Sequence, residues 1–148
     1  MCEVVVLVGL QASGKTTFCL QRLAATHVHV SKDAFPNAKR PQRRQMRMVE
    51  EALVAGRDVV VDNTNPSPAE WAPVIAAARA YGARVVAYWF PPDLAASLTR
   101  NAAREGGSRV PDVGVYATIK ILREPGPADG FDEVHTVRFD GSGGFDVR

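Results

Sequence analysis

The 148-residue chain carries 18 Lys plus Arg against 16 Asp plus Glu, a formal charge of +2, with 46% hydrophobic and 23% charged residues. This length and balance fit one soluble globular domain and exclude a low-complexity or disordered chain, while so small a net charge does not by itself announce a nucleic-acid binder. Cys2 and Cys19 lack metal-ligand spacing and disulfide partners, which points to the cytoplasm; no apolar run approaches the ~20 residues that span a bilayer, and "VVVLVG" is too short and too closely followed by polar loop residues to be expected as a secretory leader.

In chain order, β-branched runs alternate with segments of helical period, the pattern of a parallel sheet with crossover helices. "EVVVLV" from Glu3 reads as a buried strand, followed by a glycine-rich loop and a helix with Cys19, Leu20, Leu23 and Ala24 on one face. "HVHV" from His27 is the second strand, and a helix from about Pro41 turns Met46, Val49 and Leu53 inward up to a cap at Gly56. "DVVV" from Asp58 is the third strand. "SPAE" at 67–70 then predicts a capping box with Pro68 at the first helical position, opening a helix whose apolar face is Trp71, Val74, Ile75 and Ala78 and whose cap is Gly82. "ARVVAYWF" from Ala83, a helix capped by Asp93 and "EVHTVRF" from Glu133 complete five strands. The expected organisation is one domain over 1–140 and a loose tail, "GSGGFDVR", over 141–148.

"GLQASGKT", Gly9 to Thr16, fits the phosphate-loop pattern GxxxxGK[ST] and lies between a strand and a helix, as that pattern requires. Glycines let backbone N–H groups converge on phosphate oxygens, and the helix aims its positive end at the same anion. The expected nucleotide-binding set is Gly9, Gln11, Ala12, Ser13, Gly14, Lys15, Thr16 and Thr17, with Lys15 on the β and γ phosphates and the Thr16 hydroxyl on Mg²⁺. Asp62 ends the third strand, where an acid can order the metal's water shell or simply close an Asx turn. Asp33, in "VHVSKDAF", emerges at the same carboxyl edge, either as general base for an attacking hydroxyl or as the N-cap of the next turn. Arg100 and Arg104, four apart in "TRNAARE", share one helix face. They either clamp ATP and the transferring phosphoryl group or lie on a solvated face. Lys39, Arg40, Arg44 and Arg47 lie in an acid-free run at a helix start, facing a nucleic-acid backbone or solvent.

Taken in order, "GLQASGKTTF", "VHVSKDAF", "VVVDNTNPSPAE", "RNAAR", "RVPDVGVYATIKILREP" and "GFDEV" resemble the 5′-hydroxyl polynucleotide kinase family, the kinase module of phage T4-type and animal polynucleotide kinase/phosphatases. The resemblance implies a P-loop kinase fold, a three-layer α/β/α sandwich with a mainly parallel five-stranded sheet and a short arginine lid. It also implies ATP and Mg²⁺ as cofactors, 5′-OH ends of DNA or RNA as substrate, Lys15 and Thr16 on phosphate and metal, Asp33 as general base, and Arg104 with Arg100 as lid arginines on the donor phosphates. Three departures accompany it. Pro36 stands where the phage branch has an acceptor-gripping arginine, leaving that contact to Lys39 or Arg40. Asn63 stands where that branch has its acid, one place after Asp62. No DxDG[TS] motif occurs, so no 3′-phosphatase activity is expected. A small-molecule kinase acting on a sugar, nucleoside or antibiotic hydroxyl is the alternative on the same fold, and a nucleotide-binding regulatory module without transfer activity is a third reading.

Overall fold

The computed structural model describes all 148 residues. The β-branched runs form strands β1 (Glu3–Val8), β2 (His27–Val30), β3 (Asp58–Asp62), β4 (Arg84–Trp89) and β5 (Glu133–Phe139), joined by β6 (Phe145–Val147). Helices α1 (Lys15–Arg22), α2 (Pro41–Val54), α3 (Pro68–Ala80), α4 (Leu94–Ala102) and α5 (Asp112–Ile121) connect them. None of these helices is long and apolar enough to cross a membrane. The strand order is β2-β3-β1-β4-β5-β6, parallel from β2 to β5 with β6 antiparallel on the edge.

Because side chains alternate along a strand, β1 feeds two layers at once. Val4, Val6 and Val8 pack with Val49 and Leu53 of α2 and Trp71, Val74 and Ala78 of α3. Val5 and Leu7 pack on the opposite face with Phe18, Cys19 and Leu23, the inner side of α1 and its end. All of β1 from Val4 to Val8 is fully buried, so each of these side chains contributes about 1.5–3 kcal/mol of burial. The result is the three-layer α/β/α sandwich, with the β1 and β3 carboxyl ends at one rim.

Several local expectations change. The sheet has six strands, not five, because the tail is tied down: Asp140 accepts the Ser142 and Gly144 N–H groups in a turn with Gly141 and Gly143 at φ 84° and 83°, and Phe145 buries itself against Phe18 and Phe139. In α1 the inward residues are Phe18 and Cys19, whereas Leu20 is 62% exposed and Ala24 lies beyond the helix end in solvent. Ser67 is the N-cap of α3, but its hydroxyl donates to the Glu70 carboxylate and caps no backbone N–H. Helix α5 answers to no assigned element because its Val113, Tyr116 and Ile121 are exposed, which breaks the apolar period. Gly56 and Gly82 take the expected left-handed conformation after α2 and α3, at φ 72° and 66°.

Candidate active site

The phosphate loop runs from the end of β1 to the first residue of α1. Gly9 donates its N–H to the Thr64 carbonyl at 3.0 Å, and a Cβ there would lie 2.8 Å from Phe90 Cβ, so the loop hugs the sheet rim only with glycine. Gly14 caps α1 at φ 94° without a side-chain acceptor, and the first turn of α1 contains no acid. The N–H groups at this helix start are therefore left for an external anion. Gln11 anchors the loop to α5 through Thr118 Oγ1 at 2.9 Å, and Thr17 is exposed in the first turn of α1.

Lys15 lies folded into the loop, its Nζ donating to the Gly9 and Leu10 carbonyls and to Ser13 Oγ. Burial drives its pKa down to about 8; Asp62 and Asp33 pull it up and Arg104 pushes it further down.

Asp62, 4% exposed at the end of β3, accepts from Thr16 Oγ1 at 2.9 Å and is bonded to His29 Nε2 at 2.8 Å. The Asp62 hydrogen bond raises the His29 pKa despite partial burial. Two hard oxygens from Thr16 and Asp62, facing each other beside the loop, can hold a Mg²⁺-type ion that keeps most of its waters. Asp33 sits exposed in a single 3₁₀ turn, Lys32–Ala34. Ser31, not Asp33, is the N-cap of that turn, accepting the Asp33 N–H at 3.3 Å, so the carboxylate is free of any capping role.

The residues that hold Asp33 in place are amides that pattern reading passed over. Asn63 Oδ1 accepts the Lys32 N–H at 3.0 Å while its Nδ2 donates to Gln45 Oε1 at 2.7 Å, binding the Asp33 turn to α2 through a glutamine only 1% exposed. Asn65, at φ 44°, donates to the carbonyls of Leu7 and Val61 and so staples the ends of β1 and β3 together. "DNTNP" carries both, but its composition reads equally well as an ordinary turn.

The arginines separate. α4 ends at Ala102, so Arg104 lies beyond the helix and does not share a face with Arg100. The cause is Asn101, fully buried, whose amide pairs with both the N–H and the carbonyl of Val110 and turns the chain out of the helix into the loop that follows. Arg100 is docked, donating to the Ala12 carbonyl at 2.6 Å with its guanidinium 4.6 Å over the Phe139 ring. Arg104 is exposed and meets only the Ser108 carbonyl of its own loop, at 3.3 Å. A cleft of 270 Å³ opens beside the phosphate loop, lined by Ser13, Pro91, Pro92, Asp93, Arg100 and Phe139 among others.

Lys39, Arg40, Arg44 and Arg47 come together with Arg43 and Ala38 around an open cleft of 460 Å³ that no acid lines. All five cations are exposed, including Arg40, Arg44 and Arg47, which the helix pattern turns away from the core. Arg40 is the N-cap of α2 and offers no capping acceptor, and no acid occupies the first turn. Arg44 stacks 4.8 Å over the Phe35 ring, two residues from Asp33.

Comparison with known structures agrees on the fold. A fungal RNA kinase superposes with a TM-score of 0.65 at 16% identity, covering 93% of this chain and 38% of that one. Chaetomium thermophilum Kti12 in complex with ADP-AlF₃ gives 0.70 at 15% identity, over 93% and 89% of the two chains. A sugar kinase from Janibacter sp. HTCC2649 gives 0.66 at 16% identity, over 92% and 86%. The chain thus spans little more than a third of the RNA kinase but most of the other two, and it has the P-loop fold of kinases. The AAA domain family model (AAA_33) matches residues 4–123, from β1 through the end of α5, and the chain belongs to that family.

Proposed function

We propose that this protein is an ATP-dependent polynucleotide 5′-hydroxyl kinase. The observation that carries this reading is the acid-free cleft of Lys39, Arg40, Arg43, Arg44 and Arg47 that begins beside the Asp33 turn. A helix start that lacks caps and acids and is lined with cations is unfavourable by about 0.3–1 kcal/mol per charge, and a polyanion laid along it reverses the sign.

In this reading the loop N–H groups and Lys15 hold the donor phosphates, and the base of ATP lies between Pro91 and Phe139. Lys15 leaves its carbonyl partners for phosphate oxygens, whose negative charge offsets the cost of burying the ammonium. Asp33 accepts the proton of the 5′-hydroxyl as that oxygen attacks, its turn held still by Asn63. Arg100 fixes the lid on the loop backbone, and Arg104, with only one weak contact to give up, turns inward to the charge that develops on the transferring group. Mg²⁺ bound at Thr16 and Asp62 would neutralise phosphate charge.

A small-molecule kinase is the second reading, favoured by the equally good superposition of a sugar kinase. The two separate by experiment. Labelled ATP and Mg²⁺ are offered with 5′-OH oligonucleotides and, separately, with sugars and nucleosides. Oligonucleotides should be phosphorylated with log affinity falling by roughly 0.7 per contacted phosphate against log salt. Arg44→Gln with Arg47→Gln should flatten that slope and raise the oligonucleotide KM without altering the KM for ATP. Sugar phosphorylation without oligonucleotide turnover, or an unchanged salt slope in the double variant, overturns the polynucleotide reading.

A further inference from the structure

Under α1, on the face of the sheet away from α2 and α3, three side chains of different elements converge. His29 of β2 pairs with Val60 of β3, so His29 and Asp62, two residues further on, project from the same face of the sheet. Val60 packs in the same layer as Cys19, which descends from α1 one turn after Thr16. One ligand atom from each of Cys19, His29 and Asp62 lies within 4.8 Å of the other two. In a tetrahedral zinc site, bond lengths of about 2.0–2.3 Å put ligand atoms roughly 3.2–3.8 Å apart. Rotamer adjustments of about an ångström therefore suffice.

We propose that Cys19, His29 and Asp62 form an inhibitory metal site for a borderline-soft divalent ion of the Zn²⁺ class. A sulfur, a nitrogen and one carboxylate oxygen are poor ligands for Mg²⁺, which demands oxygen, and good ones for Zn²⁺. Three protein ligands leave the fourth position for water, and the His29 side chain, 32% exposed, opens the cluster to solvent. An arriving ion takes Cys19 as thiolate and His29 as neutral imidazole, and the protons they give up go to solvent. The bound ion competes for the Asp62 carboxylate, whose Oδ2 now accepts from the Thr16 hydroxyl at 2.9 Å. Occupation thus dismantles the oxygen pair beside the phosphate loop, and the inhibitory half of the proposal rests on the kinase reading above.

The probe is Co²⁺ added to the chelator-treated full chain without nucleotide. One equivalent should bind with thiolate-to-cobalt absorption in the near ultraviolet, and Zn²⁺ should bleach it. Cys19→Ser should abolish the band, the surface variant His29→Gln should weaken binding by about tenfold or more, and Cys2→Ser should leave both unchanged. A missing band in the wild type, a band that survives Cys19→Ser, or one lost in Cys2→Ser overturns the site. In a second measurement, Zn²⁺ at saturating Mg²⁺ should suppress phosphoryl transfer in the wild type and spare Cys19→Ser. Equal inhibition of both overturns the inhibitory role, whereas a cobalt band in a protein that phosphorylates no oligonucleotide upholds the site and removes the polynucleotide kinase reading.

Discussion

Lys15 couples the stability of the empty protein to pH in a way that can be worked from its surroundings. Its folded pKa lies near 8 against an ordinary 10.5, chiefly because burial penalises the ammonium. At neutral pH the folded state therefore carries a charge that costs roughly 3 kcal/mol relative to the unfolded chain, at 1.36 kcal/mol per pKa unit. Between pH 8 and 10.5 the folded protein has released this proton while the unfolded chain still holds it, so stability must rise with pH by up to about 1.4 kcal/mol per unit. Cys19 acts oppositely: its thiol stays protonated in the fold up to about 12 but ionises near 9.0 when unfolded, so its contribution is lost as pH rises above 9.0. The difference between wild type and Lys15→Met cancels that common effect and isolates the lysine. Urea denaturation from about pH 7 to about pH 10 should give curves that diverge by roughly 2.5 kcal/mol, the wild type gaining. The loss of the Nζ hydrogen bonds to Gly9, Leu10 and Ser13 adds only an offset independent of pH. Phosphate drawn into the loop should raise the pKa again, so calorimetry at about pH 9 in buffers of different ionisation enthalpy should register uptake of nearly one proton per ATP. Parallel stability curves for the two proteins would refute a buried, depressed lysine.

Asp33→Asn should lower turnover on 5′-OH oligonucleotides by a factor on the order of 10² to 10⁴ while leaving ATP affinity unchanged, as steady-state kinetics beside ATP titration will check. Arg104→Lys keeps the charge but loses the planar fork, and should reduce kcat well beyond any change in acceptor KM; an unaltered kcat would leave Arg104 as a solvent-facing residue. Asn65→Ala removes the donor shared by the Leu7 and Val61 carbonyls and forces alanine to φ 44°, costing about 2–4 kcal/mol in denaturant unfolding. Asn65→Gly relieves the backbone part alone and should recover about 1 kcal/mol.

Much of the fold, and of the layout of the candidate site, was legible as local pattern. The β-branched runs of β1 to β5, the phosphate loop from Gly9 to Thr16 and the position of Asp33 one strand later are properties of short windows, where period and glycine placement report backbone geometry directly. Asn63, Asn65, Gln45 and Asn101 were not legible, because an amide's function lies in the partner it reaches and those partners are supplied by other segments. The helix break before Arg104 belongs to the same class: "TRNAARE" has helical propensity throughout, and only the pairing of Asn101 with Val110 ends the helix at Ala102. The strand at Phe145 failed for a third reason, since its three residues are too few to show a period and its stability comes from one phenylalanine meeting two others.

The sequence by itself determined which segments become strands and helices, that a loop for phosphate follows β1, and that the cations of α2 must face outward, because each depends on contacts a few residues long. Only the tertiary structure decided that β3 lies between β2 and β1, and with it that Asp62 meets Thr16 across 46 residues of chain and His29 across 33. Strand order is set by how the crossover helices bury their faces on both sides of the sheet, a sum over the whole core that no local window contains.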